Sequence, residues 1–326
     1  MSEPKAPSLA AVIIGRNEGA RLIRCLASVS AAVGRVVYVD SGSTDGSLDA
    51  ARAAGAEVVM LDVTQPFTAA RARNAGIAAL RAGVPPDLVQ FIDGDCELQP
   101  GWIATATAFL DRHPKAAIAC GRRRERFPEA SVYNRLCDRE WDTPVGEARA
   151  CGGDALMRWT ALDQVGGYNP ALIAGEEPEM CVRLRAKGWQ VWRLDAEMTL
   201  HDAAMTRLGQ WWKRTRRGGH AAAEGMALHG APPERHGVAT VRRALMWGLA
   251  LPLLALAGML ITPWSLALLL AWPAQVIRLA LRDGGTRGAW EQALFLTLGK
   301  IPEALGVLEY VARRGLQRPA GLIEYK

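Results

Sequence analysis

Leu9–Ile14, Val36–Val39, Glu57–Leu61 and Leu88–Ile92 are apolar runs of strand length. Helical stretches separate them: one reaching Val33, one over Leu48–Ala54 and one over Thr68–Leu80. No other feature constrains the fold as much. Successive strand-helix units close into a doubly wound, mostly parallel α/β sheet, which gathers ligands at the carboxyl ends of its strands. The GxGxxG dinucleotide fingerprint is absent, which argues against a nicotinamide dehydrogenase.

The fourth run ends in Asp93-Gly94-Asp95. Carboxylates are seldom buried unless paired or bound to a cation. Two of them at i and i+2 can close on one hard divalent ion and leave its other positions to water and phosphate oxygens. The second run ends in Asp40 and opens into the polar turn Ser41-Gly-Ser-Thr-Asp-Gly-Ser47. Asp40 is suited to accept hydrogen bonds from a nucleoside, or to cap the following helix. Arg71, Arg73 and Asn74 fall near the same sheet edge, where an arginine could meet a phosphate.

The six cysteines form no CxxC pair, so neither a structural zinc site nor a secreted disulfide scaffold is expected. The first ten residues hold Pro4 and Pro7 and no apolar run. That speaks against a signal peptide and for a cytoplasmic catalytic domain. Net charge is +6, and Met205–Arg243 alone carries eight Arg/Lys against two Glu. Arg122, Arg123, Arg124 and Arg126 form a second basic cluster. Such surface beside apolar sequence suits an anionic membrane, an acidic lipid-linked substrate or nucleotide phosphate. Nucleic-acid-binding motifs are lacking.

Ala244–Ile277 has no charged side chain over 34 residues. Two helices of about 17 to 20 residues turning near Thr262-Pro263 approach the length that crosses hydrocarbon. Arg242 and Arg243 precede the run and Arg278 and Arg282 follow it, which favours a hairpin with both ends cytoplasmic. A re-entrant or surface-lying hairpin and a soluble helix pair are the alternatives. The tail after Trp290 is amphipathic, with Leu294, Leu298, Leu305 and Leu308 available to one side.

An ordered series of motifs spans residues 9–220: Val12-Ile-Ile-Gly-Arg-Asn-Glu18, Val39-Asp-Ser-Gly-Ser-Thr-Asp45, Ala70-Arg-Ala-Arg-Asn-Ala-Gly76 and Asp93-Gly-Asp95. Cys151-Gly-Gly-Asp-Ala155, Val165-Gly-Gly-Tyr168, Gly175-Glu-Glu-Pro-Glu179 and Cys181–Trp189 follow. In this order and spacing the chain resembles the family 2 glycosyltransferases of the GT-A fold. The resemblance implies an α/β nucleotide-diphospho-sugar transferase fold with a mostly parallel central sheet, here followed by a C-terminal hydrophobic helical hairpin and an amphipathic tail. The catalytic domain is expected over 1–220, with donor motifs in 9–100 and the acceptor and base region in 101–220. A basic linker at 221–243, the hairpin at 244–282 and the tail at 283–326 complete the chain.

Carried onto this sequence, the resemblance implies donor contacts from Arg16, Glu18, Asp40, Arg71, Asn74, Asp93, Gly94 and Asp95. Asp95, Asp93 and His201 are implied to hold Mn2+ or Mg2+, with Asp95 the more direct ligand. Glu177 stands where the family has an aspartate as general base, and Glu176 is its runner-up. Gly152, Gly153 and Asp154 are implied for the acceptor. Trp211, Trp212, Arg214 and Arg217, from Gln210-Trp-Trp-Lys-Arg-Thr-Arg-Arg217, offer stacking faces and cations to an acceptor sugar and its phosphates. The residue order departs from the Gln-x-x-Arg-Trp of processive relatives, so addition of a single sugar is expected.

The expected reaction is metal-dependent, inverting transfer from a nucleotide sugar to a lipid-linked saccharide, glycolipid or polysaccharide precursor. The donor is expected to be a UDP-sugar, with GDP and dTDP as alternatives. The place is the inner membrane, with the catalytic domain facing the anionic cytoplasmic surface and no nucleic acid as partner. A non-catalytic nucleotide-sugar-binding scaffold and a nucleotidyltransferase are the competing readings.

Overall fold

The computed structural model describes residues 6–316. Residues 1–5 and 317–326, the latter the end of the expected tail, lie outside the described residues. The chain divides into two compact units at Ala204/Met205.

The first unit carries β1 (Leu9–Gly15), α1 (Ala20–Ser30), β2 (Arg35–Asp40), α2 (Ser47–Ala53), β3 (Glu57–Met60), α3 (Ala69–Ala82) and β4 (Leu88–Asp93). It continues with β5 (Cys96–Leu98), α4 (Trp102–Arg112), β6 (Ala116–Glu125), α5 (Val132–Glu140), β7 (Gly146–Ala148), β8 (Ala155–Arg158), α6 (Trp159–Gln164), α7 (Glu176–Ala186) and β9 (Gln190–His201). Among the described residues the sheet has nine strands in the order β3-β2-β1-β4-β8-β6-β9-β5, with β7 on β9. The stretch β3-β2-β1-β4 is parallel throughout. Beyond β4 the sheet is mixed: β8 runs antiparallel to β4 and β6, while β6 and β9 are parallel.

Burial explains the strand sequences. Val12, Ile13, Val37, Val39 and Phe91 are sealed on both sides, so these strands read as unbroken apolar runs rather than alternating ones. Helix α3 lies directly on the sheet. A Cβ at Gly76 would meet Val12 Cγ1 at 2.4 Å, so only glycine permits this approach. Register then aligns the motifs: Gly15 sits beside Asp40 and Ile14 beside Asp93 at the carboxyl edge. Strand order reverses about β1, and a crevice outside the strands opens at such a switch point.

The second unit comprises α8 (Leu208–His229), α9 (Val238–Leu245), α10 (Leu251–Gly258), α11 (Ala271–Arg282), α12 (Arg287–Leu298) and α13 (Lys300–Gly315). Helix α8 runs unbroken across residue 220, so residues 221–243, expected as a basic linker, are helical over 221–229 and 238–243. Glycine packing explains this: a Cβ at Gly219 would lie 2.0 Å from the Glu303 carbonyl oxygen, and one at Gly306 1.9 Å from that of Arg216. The backbones of α8 and α13 touch, and Ala223, Val241, Ala244, Ala304 and Val307 fill the space beside them.

Val238–Gly258 and Pro263–Arg282 are helical over 21 and 20 residues with mean hydropathies of 1.3 and 1.5, long and apolar enough to cross a membrane by length and composition. A single π turn at Met246–Ala250 precedes Pro252 and absorbs the hydrogen bond that proline cannot make. Leu254, Leu256, Leu260, Ile261 and Trp264 are exposed.

Candidate active site

The site is built around one buried cation. On α3 the residues facing the sheet are Ala70, Arg73, Gly76, Ile77 and Leu80, an i, i+3, i+4 stripe that places Arg73 among apolar neighbours. Its side chain is 2% exposed. Nη1 donates to Glu177 Oε1 at 2.7 Å and to Glu176 Oε1 at 2.8 Å, while Nη2 donates to Asp93 Oδ1 at 2.9 Å. Burial opposes the charge of Arg73, but Glu177, Asp93 and Glu176 outweigh it and hold the guanidinium firmly protonated.

Glu176 and Glu177 open α7, whose preceding residue, Gly175, has φ 78°, a left-handed conformation that favours glycine. The Glu177 side chain is 14% exposed and that of Glu176 5%, so Glu177 is the more accessible. Burial and the neighbouring charge of Glu176 push the Glu177 pKa up to about 7, against the pull of Arg73. A carboxylate poised there can take a proton near neutral pH.

A second cation, Arg123, closes the other side. Its Nη2 donates to Asp93 Oδ2 at 2.9 Å and its Nε to Asp154 Oδ2 at 2.8 Å. Nη2 also approaches Cys96 Sγ at 3.4 Å, and the guanidinium stands over the Trp141 ring at 5.3 Å. Asp93, Cys96 and Asp154 cluster as metal ligands do, but Arg123 fills the centre of that cluster. Burial raises the pKa of Asp93, yet Arg73 and Arg123 more than reverse this and keep it ionised.

The adjoining cluster is Asp95, Cys96 and His201. Cys96 pairs with His201 in the β5–β9 register, and the Asp202 amide donates to the Asp95 carbonyl at 3.1 Å. Asp95 Oδ1 lies 3.3 Å from His201 Nε2. His201 Nδ1 has no hydrogen-bond partner and stands 3.7 Å from Glu125 Oε2. Burial lowers the His201 pKa, but Asp95 outweighs it and the net direction is upward. A carboxylate oxygen and an imidazole nitrogen converging in a buried site fit a divalent cation of the Mn2+ or Mg2+ kind. Burial keeps Cys96 a thiol, so it is a poor third ligand. Asp93, expected to share the metal, has both carboxylate oxygens engaged by arginines.

Other expected site residues take supporting places. Asp40 is 1% exposed. Its oxygens accept from Tyr38 Oη at 3.0 Å and from the Gly42 and Ser43 amides at 2.9 and 2.8 Å, so it shapes the turn from beneath. Arg71 points away from the acids and donates to the carbonyls of Asp62, Gln65 and Pro66. Asn74 brackets the Tyr168 backbone, accepting from its amide at 2.9 Å and donating to its carbonyl at 2.7 Å. Asp154 is buried beneath the site, accepting from the Asp93 amide, Arg123 and Thr199 Oγ1. Its side chain is fully enclosed, and it holds the Asp93 backbone and Arg123 in place.

The glycines mark close approaches. A Cβ at Gly94 would meet the Ile14 carbonyl oxygen at 3.2 Å, and one at Gly153 would meet Arg73 Nη2 at 2.5 Å, Asp93 Oδ2 at 3.0 Å and Glu177 Oε1 at 3.2 Å. Gly152 is exposed with open space about it. Arg16 lies over the Phe67 ring at 4.6 Å, and Glu18 pairs with Arg21 at 2.7 Å. Trp211, Trp212, Arg214 and Arg217 lie on α8 in the second unit, where Trp211 is buried edge-on against Phe295 at 5.0 Å between centroids. The basic cluster on and just after β6 is ion-paired: Arg122 with Asp138, Arg124 with Glu197, Arg126 with Glu97.

The central roles of Arg73 and Arg123 were not singled out by sequence. Helical periodicity carries the signal for Arg73, the one charge on the buried stripe of α3. Strand alternation carries that for Arg123, which it sets opposite Arg122 and Arg124.

A parallel Rossmann-like half-sheet with paired acids at its carboxyl edge, continued by a mixed half that brings in a glutamate pair and a histidine, defines the GT-A class of nucleotide-sugar transferase folds. Residues 10–151 match the family model Glycosyl transferase family 2. It is 30% identical over 173 residues to the succinoglycan biosynthesis protein ExoA of Rhizobium meliloti strain 1021, covering 49% of this chain and 52% of that protein. It is 26% identical over 235 residues to the pre-mycofactocin glycosyltransferase of Mycobacterium tuberculosis, covering 68% of this chain and 48% of that one. The chain thus spans about half the length of the curated relatives it matches.

Among solved structures, mannosyltransferase PcManGT from Pyrobaculum calidifontis, in complex with GDP-Man and Mn2+, superposes with a TM-score of 0.62 at 18% identity. That match covers 93% of this chain and 87% of the other. Glucosyl-3-phosphoglycerate synthase from Mycobacterium tuberculosis gives a TM-score of 0.51 at 18% identity, over 69% of this chain and 81% of that one. Both likenesses establish the fold.

Proposed function

We propose that this chain transfers one sugar from a nucleotide-sugar donor to a lipid-linked saccharide, glycolipid or polysaccharide precursor, with inversion, at the cytoplasmic face of the inner membrane. The observation that carries this reading is a candidate divalent-cation pair, Asp95 and His201, together with Glu177, which Arg73 ties to Asp93. Glu177 accepts the proton of an acceptor hydroxyl as that oxygen attacks the anomeric carbon from the face opposite the leaving group. Arg73 Nη1 holds Glu176 and Glu177 together, which fixes where the base stands. Asp95 and His201 would hold the cation, which when bound would stabilise the charge growing on the departing nucleoside diphosphate.

The Mn2+ and GDP-Man named with PcManGT support a metal and a nucleotide-sugar donor, with a UDP-sugar as our expected donor and GDP and dTDP as alternatives. The succinoglycan role in the name of the ExoA relative supports a polysaccharide-precursor acceptor. The two apolar helices and the basic Met205–Arg243 stretch support membrane association.

Detergent-purified protein is to be incubated with Mn2+ or Mg2+, a panel of nucleotide sugars and membrane lipid extract, and products followed by mass spectrometry. A lipid gaining one sugar, with metal-dependent release of nucleoside diphosphate, supports the reading. Pyrophosphate release assigns a nucleotidyltransferase instead. Folded protein that binds a nucleotide sugar but transfers nothing is the nucleotide-sugar-binding scaffold.

A further inference from the structure

Two buried arginines take no part in the acid cluster described above. Arg122 on β6 and Arg193 on β9 have side chains 6% and 4% exposed. Asp138 accepts from Arg122 Nη2 at 3.0 Å and gives its other oxygen to the Glu125 amide. The acid common to both arginines is Asp142. A single oxygen of it, Oδ1, stands 3.4 Å from Arg122 Nε and 3.9 Å from Arg193 Nη2. Neither distance is that of a charge-assisted hydrogen bond, which runs at about 2.7–2.9 Å. The Nε atoms of both arginines are buried without a hydrogen-bond partner. Glu197, nearby on β9, is held by both nitrogens of the Arg124 fork at 2.7 Å.

Asp142 fits this position poorly in other respects. Its side chain is 65% exposed, and it begins the irregular, exposed stretch Asp142–Val145 between α5 and β7. Buried polar groups are almost always satisfied, and a pair left short on facing strands points to a missing acceptor. A phosphate group supplies several acceptor oxygens on one centre, and planar guanidinium forks match that geometry. Both arginines face one carboxylate oxygen, so a single tetrahedral anion at that point reaches both. The position adjoins the candidate metal cluster through Trp141, whose ring is edge-on to His201 at 4.6 Å.

We propose that Arg122 and Arg193 form a phosphate seat for which Asp142 is a displaceable stand-in. Its ligand is a phosphate monoester or inorganic phosphate. Only the further step, that an ester bound here is the acceptor's, rests on the transferase reading. Binding is measured without donor or turnover, so failure of either can be told from failure of the other.

The test is calorimetric titration of the full-length protein in detergent with inorganic phosphate, free of divalent metal and nucleotide. Asp142→Ala should bind phosphate about tenfold or more tightly than wild type, since the competing carboxylate is gone and the arginine forks remain. Adding Arg193→Met to Asp142→Ala should return affinity to wild type or below. Circular dichroism checks folding, and Arg193→Lys, which keeps the charge without the fork, replaces the methionine variant if that fails to fold. Equal affinity of wild type and Asp142→Ala would overturn the seat. So would phosphate binding by Asp142→Ala that is untouched by either Arg193 variant. Octyl phosphate binding more tightly than inorganic phosphate assigns the seat to an ester; equal or weaker binding assigns it to the free ion.

Discussion

Arg73 Nη1 donates to Glu177 Oε1 at 2.7 Å, joining a helix of the parallel half-sheet to the carboxylate proposed as base. Glu177→Gln keeps the shape and a hydrogen-bond acceptor but removes basicity. Transfer should fall by about 10²–10⁴-fold, while donor binding stays within a few-fold. Product formation beside nucleotide-sugar binding checks this. Full activity in Glu177→Gln would pass the role to Glu176.

The pH profile follows from the same residue. The Glu177 pKa is raised to about 7, and only the ionised form can accept a proton. Transfer should therefore be at plateau above pH 7 and fall with decreasing pH through that value, approaching tenfold per unit. An acid limb centred near 4.5, the ordinary value for glutamate, would show that Glu177 does not limit the reaction.

Arg73→Met leaves Asp93, Glu176 and Glu177 facing one another without their shared cation. Removing one partner of a buried ionic cluster costs about 3–5 kcal/mol, and thermal melting should show it. Arg71→Ala loses only contacts to the 62–66 loop and should leave the melting temperature nearly unchanged. Similar losses in the two variants would count against the central place of Arg73.

Gly153→Ala would put a methyl 2.5 Å from Arg73 Nη2, and that guanidinium is fixed by three carboxylates. Displacement of the base by about 1 Å can cost about 10²-fold in rate, so transfer should drop steeply with the fold retained. Gly152→Ala meets open space and should be neutral. Kinetics of the two alanine variants, run side by side, separate crowding from a general intolerance of the loop.

His201→Ala and Asp95→Asn should each weaken Mn2+ binding by more than about tenfold, since even groups that only hydrogen-bond to a metal's ligands carry that much. Paramagnetic resonance of Mn2+ titrated into the folded variants measures this directly. Unchanged affinity in either would remove that residue from the cation site.

The order of elements was legible in the sequence because it is local. Apolar runs of strand length followed by helical stretches predict β1 to β4 nearly residue for residue, and Asp93-Gly94-Asp95 is conspicuous where a buried strand stops. The ordered motifs pointed to the glutamate pair and the family resemblance to His201 as candidates, while length and lack of charge marked the two apolar helices. What the sequence left open is which of several like residues faces inward. Arg71 and Arg73 stand two apart on one helix, about 200° around its axis, so only the sheet beneath α3 decides that Arg73 is enclosed by acids while Arg71 ties down a loop. Arg122, Arg123 and Arg124 were likewise one basic cluster until strand alternation and β-bulges on β6 sent Arg123 to Asp93 and Arg122 toward Asp142. Asp40 and Asp154 carry motif acids into the interior, where backbone amides and arginines satisfy them. Local sequence fixes what each segment can become; long-range packing fixes which charges lose water, and desolvated charge must find its partner across the fold.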